Sequence, residues 1–208
     1  MIDLFAWAGK NKAFEVPVSV NVTDGELDIK FYSPRMVAKV NFIVITPPQA
    51  LPQQDVVFAV NCGGPEYTDE TGIVYQADTH FSGGRTYTTA AMIEGTEDDL
   101  LYQSERYGKF SYNIPVENGD YRVTLRFAEI YSYAYAGARV FDVAIEGKTV
   151  VRDLDLFALK GKNNSYDYTI PFPISITDGV LNIDFYNDDG TAKVNAILVT
   201  RDKEQQGK

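Results

Sequence analysis

Alternation of apolar and polar residues with a period of two constrains this chain more than any other feature. In Tyr121-Arg-Val-Thr-Leu-Arg-Phe127, residues Tyr121, Val123, Leu125 and Phe127 fall on one side, with Arg122, Thr124 and Arg126 on the other. Successive side chains of an extended strand point to opposite faces, so such a run commits the backbone to a sheet with one buried face. Phe141, Val143 and Ile145 repeat the pattern, as do Leu181, Ile183 and Phe185. From Ala192 to Val199 the residues become apolar on both parities, which predicts one central strand whose second half is covered on both faces. Asn118-Gly119, Glu146-Gly147 and Asp178-Gly179 stand between such runs and read as tight hairpin turns. No stretch carries a sustained helical stripe; Thr96, followed by Asp98 and Asp99, marks at most a short helical turn near Tyr102. The reading is a β-meander or sandwich.

One unit is written twice. Asp3-Leu-Phe-Ala6 matches Asp155-Leu-Phe-Ala158, Thr23-Asp-Gly-Glu-Leu-Asp-Ile-Lys-Phe-Tyr32 matches Thr177-Asp-Gly-Val-Leu-Asn-Ile-Asp-Phe-Tyr186, and Ala38-Lys-Val-Asn41 matches Ala192-Lys-Val-Asn195. The chain opens directly on this motif, so the first copy is expected to be partial. Its apolar rows and open sheet edges then predict docking on the complete domain, or self-association through the N-terminal fragment. Pro47-Pro-Gln-Ala-Leu-Pro-Gln-Gln54 favours an extended spacer. The expected organisation is a C-terminal repeat fragment at 1–46, a Pro-rich linker at 47–54, a complete domain at 55–201 and a disordered tail at 202–208.

The 208 residues are 45% hydrophobic and 13% aromatic, enough for a substantial core. A formal net charge of −10 argues against nucleic acid and anionic membrane surfaces, which both need a positive footprint. No apolar run is long enough to predict membrane insertion, and no signal peptide is evident at the N-terminus. The lone Cys62, near Phe58 and Val60, reads as a packed small hydrophobe. With His80 the only histidine and no Gly-x-Ser-x-Gly elbow, nucleophilic triads and zinc sites lack parts. No catalytic residue, metal or cofactor is expected. Glycoside hydrolysis needs only two carboxylates and stays open by inventory, with Glu129 as the candidate acid. Alternation places Glu129 on the core side with Phe127, however. The favoured reading is a buried carboxylate paired with an arginine such as Arg106, holding the loop from Ser104 to Gly108.

Binding is better supplied. A sugar presents flat C–H faces and a rim of hydroxyls, so its site wants exposed aromatic planes and a few acceptors. Tyr131, Tyr133 and Tyr135 follow the alternating strand on a loop of small residues; Tyr107 ends Leu101-Tyr-Gln-Ser-Glu-Arg-Tyr107, and Tyr75 follows Gly72-Ile-Val74. Tyr112 and Tyr121 read as packing. The loop Asn187-Asp-Asp-Gly190 offers adjacent carboxylates, with an Asx turn as the alternative use of one of them.

These stretches, together with Ala59-Val-Asn-Cys-Gly-Gly64, Phe127-Ala-Glu-Ile-Tyr131, Val140-Phe-Asp-Val143, Asp153-Leu-Asp-Leu-Phe157 and Ala192-Lys-Val-Asn-Ala196, resemble the malectin domain. The resemblance covers Val57 to about Thr200 and, for the fragment, Asp3 to Thr46. It implies an all-β fold, an antiparallel jelly-roll-like β-sandwich with a loop-borne ligand site. It also implies non-catalytic binding of an oligosaccharide or polysaccharide, glucose-containing in the animal relatives, within an extracellular or periplasmic parent such as a glycoside hydrolase. Carried over by motif, the ligand-binding residues are Tyr75, Tyr107, Tyr131 and Asp189 or Asp188, with Tyr133 as a secondary candidate. Where the animal family has a second aromatic after the tyrosine matching Tyr131, this chain has Ser132. The competing class is a structural or protein-interaction domain that meets a neighbouring module through the same tyrosines.

Overall fold

The computed structural model describes residues 26–30, 40, 41, 43, 56–187 and 191–201. The chain divides into two units at Gln53 and Gln54. The expectations for the fragment, the linker, the tail and self-association lie outside the described residues, apart from the few described positions of the fragment. In the second unit the strands and short helices run in order: β1 (Val56–Asn61), β2 (Tyr67–Thr68), β3 (Val74–Ala77), β4 (Phe81–Thr88), α1 (Asp99–Tyr102), β5 (Ser104–Pro115) and β6 (Gly119–Ala128). There follow β7 (Val140–Ile145), β8 (Lys148–Asp155), α2 (Leu156–Lys160), β9 (Ser165–Thr169), β10 (Ile174–Ile176), β11 (Val180–Tyr186), β12 (Ala192–Val194) and β13 (Ala196–Arg201).

The strands form a β-sandwich. One sheet runs β10-β6-β13-β1-β3-β2 with β9 also on β6; the other runs β12-β5-β11-β7-β8 with β4 also on β5. Pairing is antiparallel except between β1 and β3. The alternation explains the layering: Tyr121, Val123, Leu125 and Phe127 of β6 are buried against Phe110 and Tyr112 of β5, Phe141 and Val143 of β7, and Ile183 and Phe185 of β11. Phe110 and Phe185 stack with centroids 4.6 Å apart. Full burial of each such side chain contributes about 1.5–3 kcal/mol, so the period-two rows supply much of the driving force. Cys62 sits in this core, and burial pushes its thiol well above the ordinary value.

Two expectations are corrected. Glu146-Gly147 is a hairpin turn, with φ of 51° and 68°, between the paired strands β7 and β8. Asn118-Gly119 and Asp178-Gly179 instead carry the chain from one sheet to the other, because the strands they join, β5 to β6 and β10 to β11, lie in different sheets. The run from Ala192 to Val199 is likewise two strands. β12 pairs with β5 and β13 lies between β6 and β1. Residues of both parities are buried because the chain changes sheets at Asn195.

Asn195 holds that crossing by its side chain. Its Oδ1 accepts from Ala128 N at 2.8 Å, and its Nδ2 donates to the carbonyls of Tyr102 and Ser104, both at 2.7 Å. A buried amide that satisfies three backbone groups from separate segments cannot be replaced by an apolar residue without orphaning them. Asn195→Ala is expected to cost about 3 kcal/mol in urea unfolding, against under about 0.5 kcal/mol for Asn113→Ala on the exposed side of β5. Equal midpoints for the two variants would contradict this role.

Candidate functional site

The site grows from a loop clasped at both ends. After β6 the chain runs from Glu129 through Tyr131, Ser132, Tyr133 and Tyr135 to Arg139 at the start of β7. Glu129 Oε1 accepts from Arg139 Nη1 at 2.9 Å, which ties the two stems together, and from the Tyr131 backbone N–H at 2.9 Å, which sets where the tyrosines begin. Arg139 donates through Nη2 to Glu105 Oε1 at 2.9 Å, and Glu105 Oε2 lies 2.6 Å from Lys193 Nζ. Lys193 also donates to the Ala128 carbonyl. All four side chains are buried, yet the cluster carries two charges of each sign, which is the condition for keeping ions out of water. Burial lowers the Lys193 ammonium from its ordinary value, with Glu105 and Glu129 acting in the opposite sense.

The carboxylate of Glu129 is therefore buried and paired, in keeping with the alternation, but its partner is Arg139. Arg106 pairs with Asp78, donating to Oδ2 through Nε at 2.9 Å and Nη2 at 2.6 Å, while lying 3.3 Å above the Phe81 ring. Asp78 also accepts from the Tyr112 hydroxyl at 2.7 Å. Arg139 went unnoticed in the sequence; its signal was that it is the lone basic residue of the tyrosine loop.

Between the clasped stems two turns fold the loop, with Ala134 N–H donating to Tyr131 O and Ala138 N–H to Tyr135 O. Tyr131 is left 42% exposed and Tyr133 78% exposed, far more than a packing role needs. Their rings meet edge to face with centroids 5.8 Å apart, and Tyr131 meets Tyr87 of β4 in the same way at 6.1 Å. The Tyr87 hydroxyl lies 3.2 Å from Ser132 Oγ. Tyr87 is thus a member that sequence reasoning missed, since β4 is polar and shows no alternation to single it out. Tyr87 lies opposite Glu105 in register, and Arg85 opposite Tyr107. Opposed residues share a face, so half-buried Tyr107 stands on the same side of β5 as Tyr87. Tyr107, Arg85 and Lys109 line a depression of about 320 Å³.

Tyr75 does not join them. It is wholly buried on the far face of the other sheet, packed with Leu101, Tyr102 and Leu198, and the Arg126 guanidinium lies 5.3 Å from its ring centroid. A ring at 0% exposure has no face to offer a ligand. Read as a loop tyrosine after Gly72-Ile-Val74, it lies instead within β3, under the cover supplied by α1 and its flanking loop. Asp188 and Asp189 lie outside the described residues. The ends of their loop are fixed beside the tyrosine loop: Thr191 N–H donates to Asn187 Oδ1 at 2.7 Å, Asn187 Nδ2 to Val140 O at 3.0 Å, and Arg139 Nε to Thr191 O at 3.2 Å. Among the described residues no three His, Cys, Asp or Glu side chains converge as metal ligands.

This arrangement can be set beside known proteins. Residues 56–205 match the family model of the malectin domain. Malectin-A of Xenopus laevis is 40% identical over 136 residues, covering 62% of this chain and 48% of that protein. Malectin of Homo sapiens is 38% identical over 138 residues, covering 62% and 46%. The chain matches about half the length of these relatives. Among solved structures, a Bacteroides uniformis beta-glucuronidase superposes with a TM-score of 0.61 at 22% identity, covering 70% of this chain and 18% of that one. The plant receptor-like kinase FER gives 0.60 at 21%, covering 73% and 43%. At these identities the structures share the fold and nothing more. With a family match spanning most of its length, this chain belongs to the malectin domain family.

Proposed function

We propose that the unit from Gln54 onward binds carbohydrate without chemistry, holding an oligosaccharide on the aromatic platform of Tyr87, Tyr107, Tyr131 and Tyr133. The observation that carries this reading is the pair of exposed, mutually edge-on tyrosines on a loop whose stems are pinned by a buried ion pair. Aromatic planes fixed in advance lose little conformational entropy on binding, and their faces suit the C–H surface of a pyranose. Asp188 or Asp189 would supply acceptors for sugar hydroxyls from the adjoining loop. Glucose-containing glycans are the first ligands to test, because the family resemblance points there. Ser132 occupies the place of a second aromatic, and its contact with Tyr87 leaves Tyr133 to extend the platform.

One observation supports a non-catalytic role. Glu129 and Glu105 share one arginine and are 2% and 1% exposed, so neither can reach a glycosidic oxygen without dismantling the clasp. A hydrolase needs both carboxylates at the substrate. A place as an accessory module in an extracellular or periplasmic protein, such as a glycoside hydrolase, fits the same reading. No described helix is long and apolar enough to cross a membrane.

Calorimetric titration with gluco-oligosaccharides should give saturable binding that weakens at least about tenfold in Tyr131→Ala and in Tyr87→Ala, with the unfolding midpoint of Tyr131→Ala little changed. A folded protein that binds no glycan in either form would favour the protein-interaction reading. Glu129→Gln should behave in the opposite way. Leaving Arg139 short of a charge is expected to cost about 3 kcal/mol of stability, while the affinity of the folded protein changes less than in Tyr131→Ala. A Glu129→Gln protein of unchanged stability that no longer binds sugar would refute the scaffold role.

A further inference from the structure

The outer face of the six-stranded sheet carries a trough that the tyrosine site does not use. Because Phe110, Tyr112, Ile183 and Phe185 point into the core, the residues between them point outward. The registers then align a row across the strands. Ser82 of β4 lies opposite Ser111 of β5, Ser111 opposite Asp184 of β11, Asp184 opposite Ala144 of β7, and Ala144 opposite Thr149 of β8. Every member of this row is short.

Longer side chains stand on either side. Along one flank Asn113 Nδ2 donates to Asn182 Oδ1 at 2.7 Å, and Glu146 Oε1 accepts from Asn182 N at 2.7 Å. Along the other, two residues nearer the tyrosine loop, stand Lys109 and Tyr186, the latter with its hydroxyl 3.1 Å from Thr149 Oγ1. A row of short side chains between rows of long ones makes a groove across the strands, of about 530 Å³. It adjoins the depression at Tyr107: Lys109 lines both, and Gly83 of one neighbours Gly84 of the other.

The lining suits one kind of occupant. Ser82, Ser111 and Asp184 make no hydrogen bond to another side chain among the described residues, so hydroxyls and a carboxylate are free to pair with a polyhydroxylated chain. The floor offers too little apolar surface to hold a protein segment or a lipid. Four strands at about 4.8 Å spacing give the groove a length of roughly 14 Å, more than one sugar ring requires.

We propose that this groove holds further residues of the glycan bound at the tyrosine loop, so that the unit recognises an oligosaccharide chain longer than a disaccharide, laid across β4, β5, β11 and β7. The inference rests on the tyrosine loop being the sugar site. It is tested with ladders of α-1,3- and α-1,4-linked gluco-oligosaccharides, from disaccharide to hexasaccharide, titrated against the full chain. The longer members should bind roughly tenfold tighter than the disaccharide. Ser111→Trp, which fills the floor, and Asp184→Ala, which removes its carboxylate, should each abolish that gain while leaving disaccharide affinity unchanged. Unchanged disaccharide affinity also certifies that each variant is folded. Disaccharide binding with no gain on lengthening, or a gain that survives both substitutions, overturns the groove and leaves the tyrosine site standing. Binding of no member of either ladder overturns both.

Discussion

The guanidinium of Arg139 is the point at which fold and site become one problem. It reaches Glu129 at the start of the tyrosine loop, Glu105 on β5 and the Thr191 carbonyl at the end of the acidic loop, while Lys193 completes the charge balance from β12. Burying four ions is expensive, and well-packed apolar residues could fill the same space at no loss of stability. What apolar residues could not do is fix three segments in one relative position by directed bonds. A loop carrying three tyrosines in water would otherwise collapse onto the nearest apolar surface. The clasp holds the rings out, at the cost of a cluster that tolerates no missing partner.

That cluster depends on the change of sheet at Asn195. Lys193 belongs to one sheet and Ala196 to the other, so the chain crosses the sandwich edge within a few residues, and the Asn195 amide absorbs the backbone groups left by the crossing. The segments it joins are those that matter for the site: Ala128 precedes Glu129, and Ser104 precedes Glu105. Lys193 and Asn195, two residues apart in Ala-Lys-Val-Asn, thus act on the same neighbourhood from one strand path. Their polarity within an otherwise apolar run is explained by that double duty.

The sequence made the layers legible, because a period of two states directly which residues of β6, β7 and β11 face inward. It could not state which sheet each strand enters. Asn118-Gly119 has the chemistry of a hairpin turn, yet it bridges the sandwich, since turn residues record local φ and not the partner of the next strand. Glu129 was readable as buried from parity, and as paired because buried charges need partners, but its partner was not, because Arg139 and Arg106 are equally basic in the sequence and only the loop closure chooses between them. Tyr131 and Tyr133 were readable as exposed, lying among Ser, Ala and Gly. Tyr75 was misjudged because burial on an outer sheet face depends on what lies over it, and the cover comes from α1 and its flanking segments, distant in sequence, whereas Tyr87 was missed because β4 is polar and lacks alternation.

In the proposed function, a small set of tyrosine rings, fixed by the clasp, is the surface a sugar meets. The most direct measurement follows the ring-proton resonances of the tyrosines by NMR as a gluco-oligosaccharide is added. The largest shifts should fall on Tyr87, Tyr107, Tyr131 and Tyr133, with Tyr75, Tyr102 and Tyr121 unmoved. Saturable binding that shifts the buried set, or that leaves all four platform rings in place, would contradict it.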